Sequence, residues 1–316
     1  VSAAAGRELK VLVGPTASGK SAVAQYMAEH DGAAVLSADS MLIYRGMDIG
    51  TAKPDRQARR RVDYLGVDLA DPCELFSVWA YREAVAAQLA ELAPERDVVV
   101  AGGSGLYVKA LTMGLAAAGA APENRARWES LFADQGVEGL QQALQQRDAG
   151  ALASLSDPRN PRRLIRALER QDAPGESGGI VPSWREAATG PVLAGLWMEP
   201  ALLNKRIEKR VETMYAEGLL DEVAGLLADP RGLSPTARQA IGYAEAIAVL
   251  EGRSGCEEAM ALTAARTRRL AKRQRTWFRH QARVEWVEVQ PDDTVETISG
   301  RVREIWSNYG SARMAG

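Results

Sequence analysis

The sequence predicts an α/β protein: a P-loop NTPase-like parallel sheet flanked by helices, with a helical insertion domain. Three observations predict it. Gly14 to Ser21 read GPTASGKS and satisfy G-x-x-x-x-G-K-[ST] between an apolar run, Val11–Val13, and a helix-compatible run, Ser21–Glu29. That strand, loop and helix order is the setting the motif needs. Further short apolar runs stand at Ala33–Ser37, Asp97–Gly103 and Val192–Met198, as expected of parallel strands buried on both faces. Residues 116–191, between the last two, read instead as a linker and helices.

Each element has its own reason. Gly14 and Gly19 let the loop curl so that backbone N–H groups point at phosphate oxygens, and the helix near Lys20 adds its positive end. Lys20 supplies a mobile charge for the terminal phosphates, and the Ser21 hydroxyl can hold Mg²⁺. The expected ligand is a di- or triphosphate. Asp39 and Ser40 follow the second strand, at the carboxyl edge where ligands of open α/β sheets bind; an Asp at such a junction can also cap a helix. Leu42–Pro54, with two glycines and a proline, reads as a loop. The basic run Arg56–Arg61 reads as a solvated helix face, with a phosphate-backbone contact as the alternative. Val62–Pro72 reads as a third short strand leaving into a turn, and Phe76–Leu92 as a helix capped by Ser77. After Asp97–Gly103, Ser104 opens another helix at a second strand–glycine–helix corner, its hydroxyl expected to point into the crevice of Asp39.

The insertion should hold helices at Arg125–Gln135, Val137–Gln146 and Pro161–Arg170, then a loop at Gln171–Pro182. Arg159, Arg162, Arg163, Arg166 and Arg170 crowd into a dozen residues, which points to a polyanion. Beyond the returning strand, Ala201–Glu217 is amphipathic, with Leu203, Ile207, Val211 and Met214 at helical spacing. Leu219–Leu227 continues as a helix, and Thr236–Tyr243 leads into one reaching Leu250. Gly242, inside that helical pattern, implies close packing or ligand approach. Cys256–Arg283 is a long helix whose second half holds Arg266, Arg268, Arg269, Lys272, Arg273, Arg275, Arg279 and Arg283 without an acid between them. The helix dipole would account for two or three cations near the end, so phosphate contact is the stronger reading. Val284–Val289 alternates as a terminal strand, and Thr294–Ser307 closes the chain as a helix.

The 316 residues, 46% hydrophobic and 25% charged, suit two domains or one with a large insertion, at about 100–200 residues each. The boundaries expected are 1–115 with 192–316 for the core and 116–191 for the insertion. A net charge of −2 excludes a uniform polycation, so nucleic acid would bind to segregated patches. Cys73 and Cys256 make no disulfide framework or metal quartet, and a reducing cytoplasm is expected. No apolar run is long enough to span a membrane, and no membrane partner is expected. His30 and His280 lie too far apart in sequence to suggest a ligand pair, and no Ser/His/Asp or Cys/His nucleophile is visible. The residues alone leave two chemistries open: a phosphoryl group moves, or a diphosphate leaves.

The motifs GPTASGKS, SADSMLIYRGMDIGTAKP, AGGSGLYVKAL, NPRRLIRALE, RQAIGY and TRRLAKRQRTWFR, in that order from residue 14 to 279, resemble those of the bacterial tRNA dimethylallyltransferases, also called tRNA isopentenyltransferases. The resemblance implies transfer of a dimethylallyl group from dimethylallyl diphosphate to the exocyclic amine of the adenine 3′ of the tRNA anticodon, with Mg²⁺, by a monomer. It implies that Gly14, Pro15, Thr16, Ala17, Ser18, Gly19, Lys20 and Ser21 hold the diphosphate and that Ser21 binds the metal. Asp39 and Ser104 would be catalytic, Ser104 standing where the family usually has Thr. The tRNA contacts implied are Asp39, Ser40, Met41 and Leu42; Ser104; Arg125; Arg162, Arg163, Leu164, Ile165 and Arg166; and Gln239, Ala240, Ile241, Gly242 and Tyr243. Tyr64 and Leu65 replace the family's common paired histidines, and Ala244 replaces a usual basic residue. A free-adenylate isopentenyltransferase, a small-molecule P-loop kinase and a non-catalytic RNA-binding ATPase are the rival readings.

Overall fold

The computed structural model describes residues 4–114, 122–155, 157–172 and 190–316. The chain divides into two compact units, Val1–Gly114 with Pro182–Gly316, and Leu115–Val181. In the first unit the apolar runs become β1 (Glu8–Val13), β2 (Ala34–Ser37), β3 (Tyr64–Leu65), β4 (Val98–Gly102), β5 (Val192–Trp197) and β6 (Arg283–Glu288). They lie in the order β3-β2-β4-β1-β5-β6, each neighbouring pair parallel. A seventh strand, β7 (Ala312–Arg313), runs antiparallel to the start of β1. Two residues carry no periodicity, which is why the sequence reading does not include it. The third strand is short and leaves into a turn, as expected: Gly66 and Asp68 take φ +74° and +51° and turn the chain away.

The helices of this unit are α1 (Lys20–Asp31), α2 (Arg56–Arg61), α3 (Val78–Glu91) and α4 (Gly105–Thr112). In the second unit lie α5 (Pro122–Arg147), α6 (Ala149–Ser154) and α7 (Pro161–Asp172). The first unit resumes with α8 (Pro200–Ala216), α9 (Leu219–Leu227), α10 (Pro235–Arg238), α11 (Tyr243–Leu250), α12 (Cys256–Gln281) and α13 (Val295–Tyr309). Ser77 caps α3, its Oγ accepting the Ala80 N–H at 3.1 Å. Gly242 does not sit inside a helix: it takes φ +92° between α10 and α11, and Glu245 Oε2 accepts its N–H at 2.8 Å.

The strand alternation divides the core. Val11 and Val13 face a cluster with Tyr81, Val108, Tyr243 and Phe278, whereas Leu12 faces one with Val23, Met27, Ile207 and Val302. The sheet is therefore covered on both faces.

In the second unit α5 breaks at Gly136, where φ is +66°, between the two helices expected there. Trp128, Leu140, Leu144, Leu164, Ile165 and Leu168 form its core. Trp128 Nε1 donates to Asp172 at 2.6 Å, and Arg127 and Arg147 lie over its ring at 4.6 and 4.7 Å. The linker at 116–121 and most of the loop at 171–182 lie outside the described residues.

Candidate active site

Three neighbouring strands converge at their carboxyl ends. β1 leads into the phosphate loop, β2 into Asp39, and β4 into Gly103 and Ser104, with Val13 in register with Gly102 and Ser37 with Ala101. Together they open a cavity of about 380 Å³, lined by Lys20, Ser21, Asp39, Arg206, Arg210 and Gln274 among others.

The loop geometry depends on Gly14. Its φ is +148°, and a Cβ there would lie 2.7 Å from the Leu196 carbonyl oxygen. Lys20 is buried, and its Nζ donates to the Pro15 carbonyl at 2.6 Å. Burial pushes its ammonium down to about 7, a shift that Asp39 opposes and Arg210 reinforces. Of the eight motif residues, Thr16, Ala17, Gly19, Lys20 and Ser21 line the cavity; Gly14, Pro15 and Ser18 stand behind it. The Ser18 hydroxyl is buried with no hydrogen-bond partner among the described residues. The Thr16 amide is engaged within the protein, donating to Gln274 Oε1 at 2.8 Å.

Asp39 Oδ1 accepts the Met41 N–H at 2.8 Å, a turn that points the next residues away from the strand end. Ser104 departs from expectation. It is not among the residues lining the 380 Å³ cavity; its Oγ accepts the Ser40 N–H at 3.4 Å, which ties the β4 corner to the Asp39 segment. The loop at 42–54 is braced from below. Lys53, its side chain fully buried, pairs with Asp48 and Asp68 at 2.7 Å each, and Glu222 accepts from Ile49 N at 2.8 Å.

Arg210 and Arg206, which line the same cavity, were missed by the sequence reading. Arg210 donates to Thr16 Oγ1 at 3.4 Å and to the Thr51 carbonyl at 3.2 Å. Burial lowers its guanidinium from the ordinary value, and Asp39 opposes this. The available signal was two arginines at i, i+4 beside the buried stripe of α8 at Ile207 and Val211. A smaller recess of about 110 Å³ adjoins the cavity, sharing Asp39 and Arg210 and otherwise walled mainly by Met41, Ile207, Val211, Met214, Ile241 and Leu270.

The remaining expected contacts divide by burial. Arg162, Arg163 and Arg166 are exposed on α7, but Leu164 and Ile165 are buried in the core of the second unit. Their side chains offer nothing to RNA, because the amphipathic period that exposes the arginines turns these two inward. Arg125 and Arg166 both approach the buried Glu169, at 3.5 and 3.3 Å. Tyr243 is likewise unavailable as a side-chain contact: it is fully buried and its hydroxyl donates to Glu222 at 2.6 Å. Gln239 is exposed, and Ala240 and Ile241 face the small recess. On α12, Arg266 pairs with Glu245 and Arg268 with Glu208. Arg269, Lys272, Arg273, Arg275 and Arg279 have no ion pair among the described residues.

A parallel sheet that brings a phosphate-loop motif and a carboxylate to one cavity, with two arginines from α8, gives the architecture of a phosphate-loop α/β protein. Comparison with known proteins then narrows the class. The family described as IPP transferase matches residues 42–281. A tRNA dimethylallyltransferase of Geobacter metallireducens is 39% identical over 92% of this chain and 96% of its own, and one of Bacillus licheniformis 40% identical over 90% and 92%. The crystal structure of the full-length tRNA isopentenylpyrophosphate transferase from Bacillus halodurans is 35% identical, covers 96% of this chain and 97% of that one, and has a TM-score of 0.64. A eukaryotic dimethylallyltransferase, 19% identical, shares the fold over 95% of this chain and 79% of its own, at a TM-score of 0.76. The chain belongs to the tRNA dimethylallyltransferase family.

Proposed function

We propose that this chain transfers the dimethylallyl group of dimethylallyl diphosphate to the exocyclic amine of the adenine 3′ of the anticodon in tRNA, releasing pyrophosphate. The observation that carries the reading is the single 380 Å³ cavity in which Asp39 faces the cationic phosphate loop. The amine nitrogen attacks the allylic carbon, the carbon–oxygen bond breaks, and its electron pair leaves with the diphosphate. Asp39 takes the proton released from the amine. Lys20, Arg210 and the loop amides that face the cavity stabilise the charge that grows on the departing diphosphate. The apolar recess beside Asp39 suits a five-carbon tail. The adenine must leave its stack to reach the cavity, so base extrusion is part of the reading. The unpaired cations of α12 and the exposed arginines of α7 suit tRNA phosphates.

The site also fits Mg²⁺. Ser21 and Asp39 bring hard oxygen donors to one cavity, and no cluster of three His, Cys, Asp or Glu occurs among the described residues. Such an ion would take its remaining ligands from diphosphate and water, as Mg²⁺ commonly does. When bound, it neutralises charge on the leaving group.

The test is transfer of label from dimethylallyl diphosphate to unmodified tRNA and to AMP, offered side by side with and without Mg²⁺. Label on tRNA alone is expected. Label on AMP would place the chain with enzymes of free nucleotides, and ATP consumption without transfer would refute the reading.

A further inference from the structure

Gln274 lies on α12, whose outer face carries Arg269, Lys272 and Arg273, yet its own side chain is buried against the phosphate loop. Its Oε1 accepts the Thr16 N–H at 2.8 Å. A backbone N–H can only donate, so the amide oxygen must face Thr16 and the NH₂ must face away. The side chain forms part of the cavity wall. Nε2 lies over Gly103, where a Cβ would stand 2.4 Å from it; the missing side chain leaves the amide its place. Nε2 meets no acceptor among the described residues. Asp39 is the one carboxylate lining a cavity that also holds Lys20, Arg206 and Arg210. Two spare N–H donors in such surroundings suit an anionic oxygen.

We propose that Gln274 is a ligand of the diphosphate: its oxygen anchors the loop at Thr16, and its NH₂ donates to a diphosphate oxygen in place of the amide it withdraws from the cradle. The inference rests on the diphosphate reading above. It gives one side chain two tasks that a substitution can separate, because Glu keeps the acceptor for Thr16 but replaces the donor with an oxygen that repels phosphate.

The experiment is calorimetric binding of inorganic pyrophosphate to the full chain as wild type, Gln274→Glu, Gln274→Met and Gly103→Ala. Affinity for an anticodon stem-loop and the melting temperature are measured in parallel. Gln274→Glu is expected to raise the pyrophosphate Kd at least tenfold, and by more than Gln274→Met does. Stem-loop affinity should stay within threefold. Gly103→Ala, whose methyl displaces the amide, should weaken pyrophosphate as Gln274→Met does. Wild-type affinity in Gln274→Glu would mean that the side chain only anchors the loop, and would overturn the proposal. Undiminished affinity in both Gln274→Met and Gly103→Ala would overturn it as well, even if the Glu variant did not fold. A wild-type chain that binds the stem-loop but not pyrophosphate would overturn the diphosphate reading itself, and this inference with it.

Discussion

Replacing Lys20 by Met should stabilise the ligand-free protein while removing its grip on pyrophosphate. Burial pulls the Lys20 ammonium from 10.5 to about 7. At about 1.36 kcal/mol per tenfold change, holding the charged form in the empty site costs roughly 5 kcal/mol. The substitution also loses the bond to the Pro15 carbonyl, worth about 1–3 kcal/mol when an acceptor is left alone. The net gain is therefore roughly 2–4 kcal/mol, or on the order of 3–6 °C in Tm for a chain of this size. The sign with pH follows from the lowered folded-state value. Below pH 7 both folded and unfolded Lys20 are charged, so wild type carries the whole penalty. Between 7 and 10.5 only the unfolded state holds the proton, and the penalty fades as pH rises. The advantage of Lys20→Met should thus be largest near pH 6 and shrink toward pH 10. Thermal unfolding at several pH values, with and without pyrophosphate, reads both effects. Wild type should gain about 2.7 kcal/mol at a hundredfold excess over Kd, and the Met variant little. A Met variant no more stable than wild type at pH 6, or one whose advantage grows with pH, would refute the reasoning.

Asp39→Asn should slow single-turnover transfer by about 10²–10⁴-fold, the usual range for losing a general base, with stem-loop affinity unchanged; normal transfer would remove Asp39 from the chemistry. Arg210→Met removes a charged donor from the cavity wall and should weaken pyrophosphate by roughly 10–100-fold, at about 1.5–3 kcal/mol for a charged hydrogen bond, measured by calorimetry. Changing Arg269, Lys272 and Arg273 together to Gln should lower tRNA affinity and flatten its logarithmic salt slope by about 2–3. An unchanged slope would place the RNA elsewhere.

Those targets differ in how far the sequence disclosed them. The strand–loop–helix order around GPTASGKS, the strand before Asp39 and the insertion between β4 and β5 were all legible, because each is a local pattern of apolar runs and turn residues. The break at Gly242 was not. A helical pattern on either side cannot show that the glycine takes a positive φ with Glu245 accepting its N–H. Ser104 stands at the expected corner, but its hydroxyl meets the Ser40 N–H and is not in the cavity wall, since a strand-end position does not determine where a hydroxyl points. Arg210 and Gln274 were invisible as site residues for a different reason: each reaches the phosphate loop from a helix 194 or 258 residues away in the chain. Periodicity could show that their neighbours are buried; it could not show what they are buried against.

The basic helix shows how one period serves two tasks. On α12, Ala271, Gln274 and Phe278 are buried, while Arg269, Lys272 and Arg273 stand outside. The outer residues are spaced at i, i+3 and i+4, where like charges repel and destabilise a helix. The dipole favours cations only in the last turn, so it cannot repay that cost for residues two turns or more before the end at Gln281. Arg266 and Arg268, nearer the middle, are neutralised by Glu245 and Glu208, which shows that the fold can supply counter-charges to this helix. Leaving the next cations unpaired is then a cost to stability that a polyanion would remove. The inner face of the same helix holds Gln274 against Thr16. A helix that was only surface would not need that buried amide, and one that was only core would not carry the uncompensated charge.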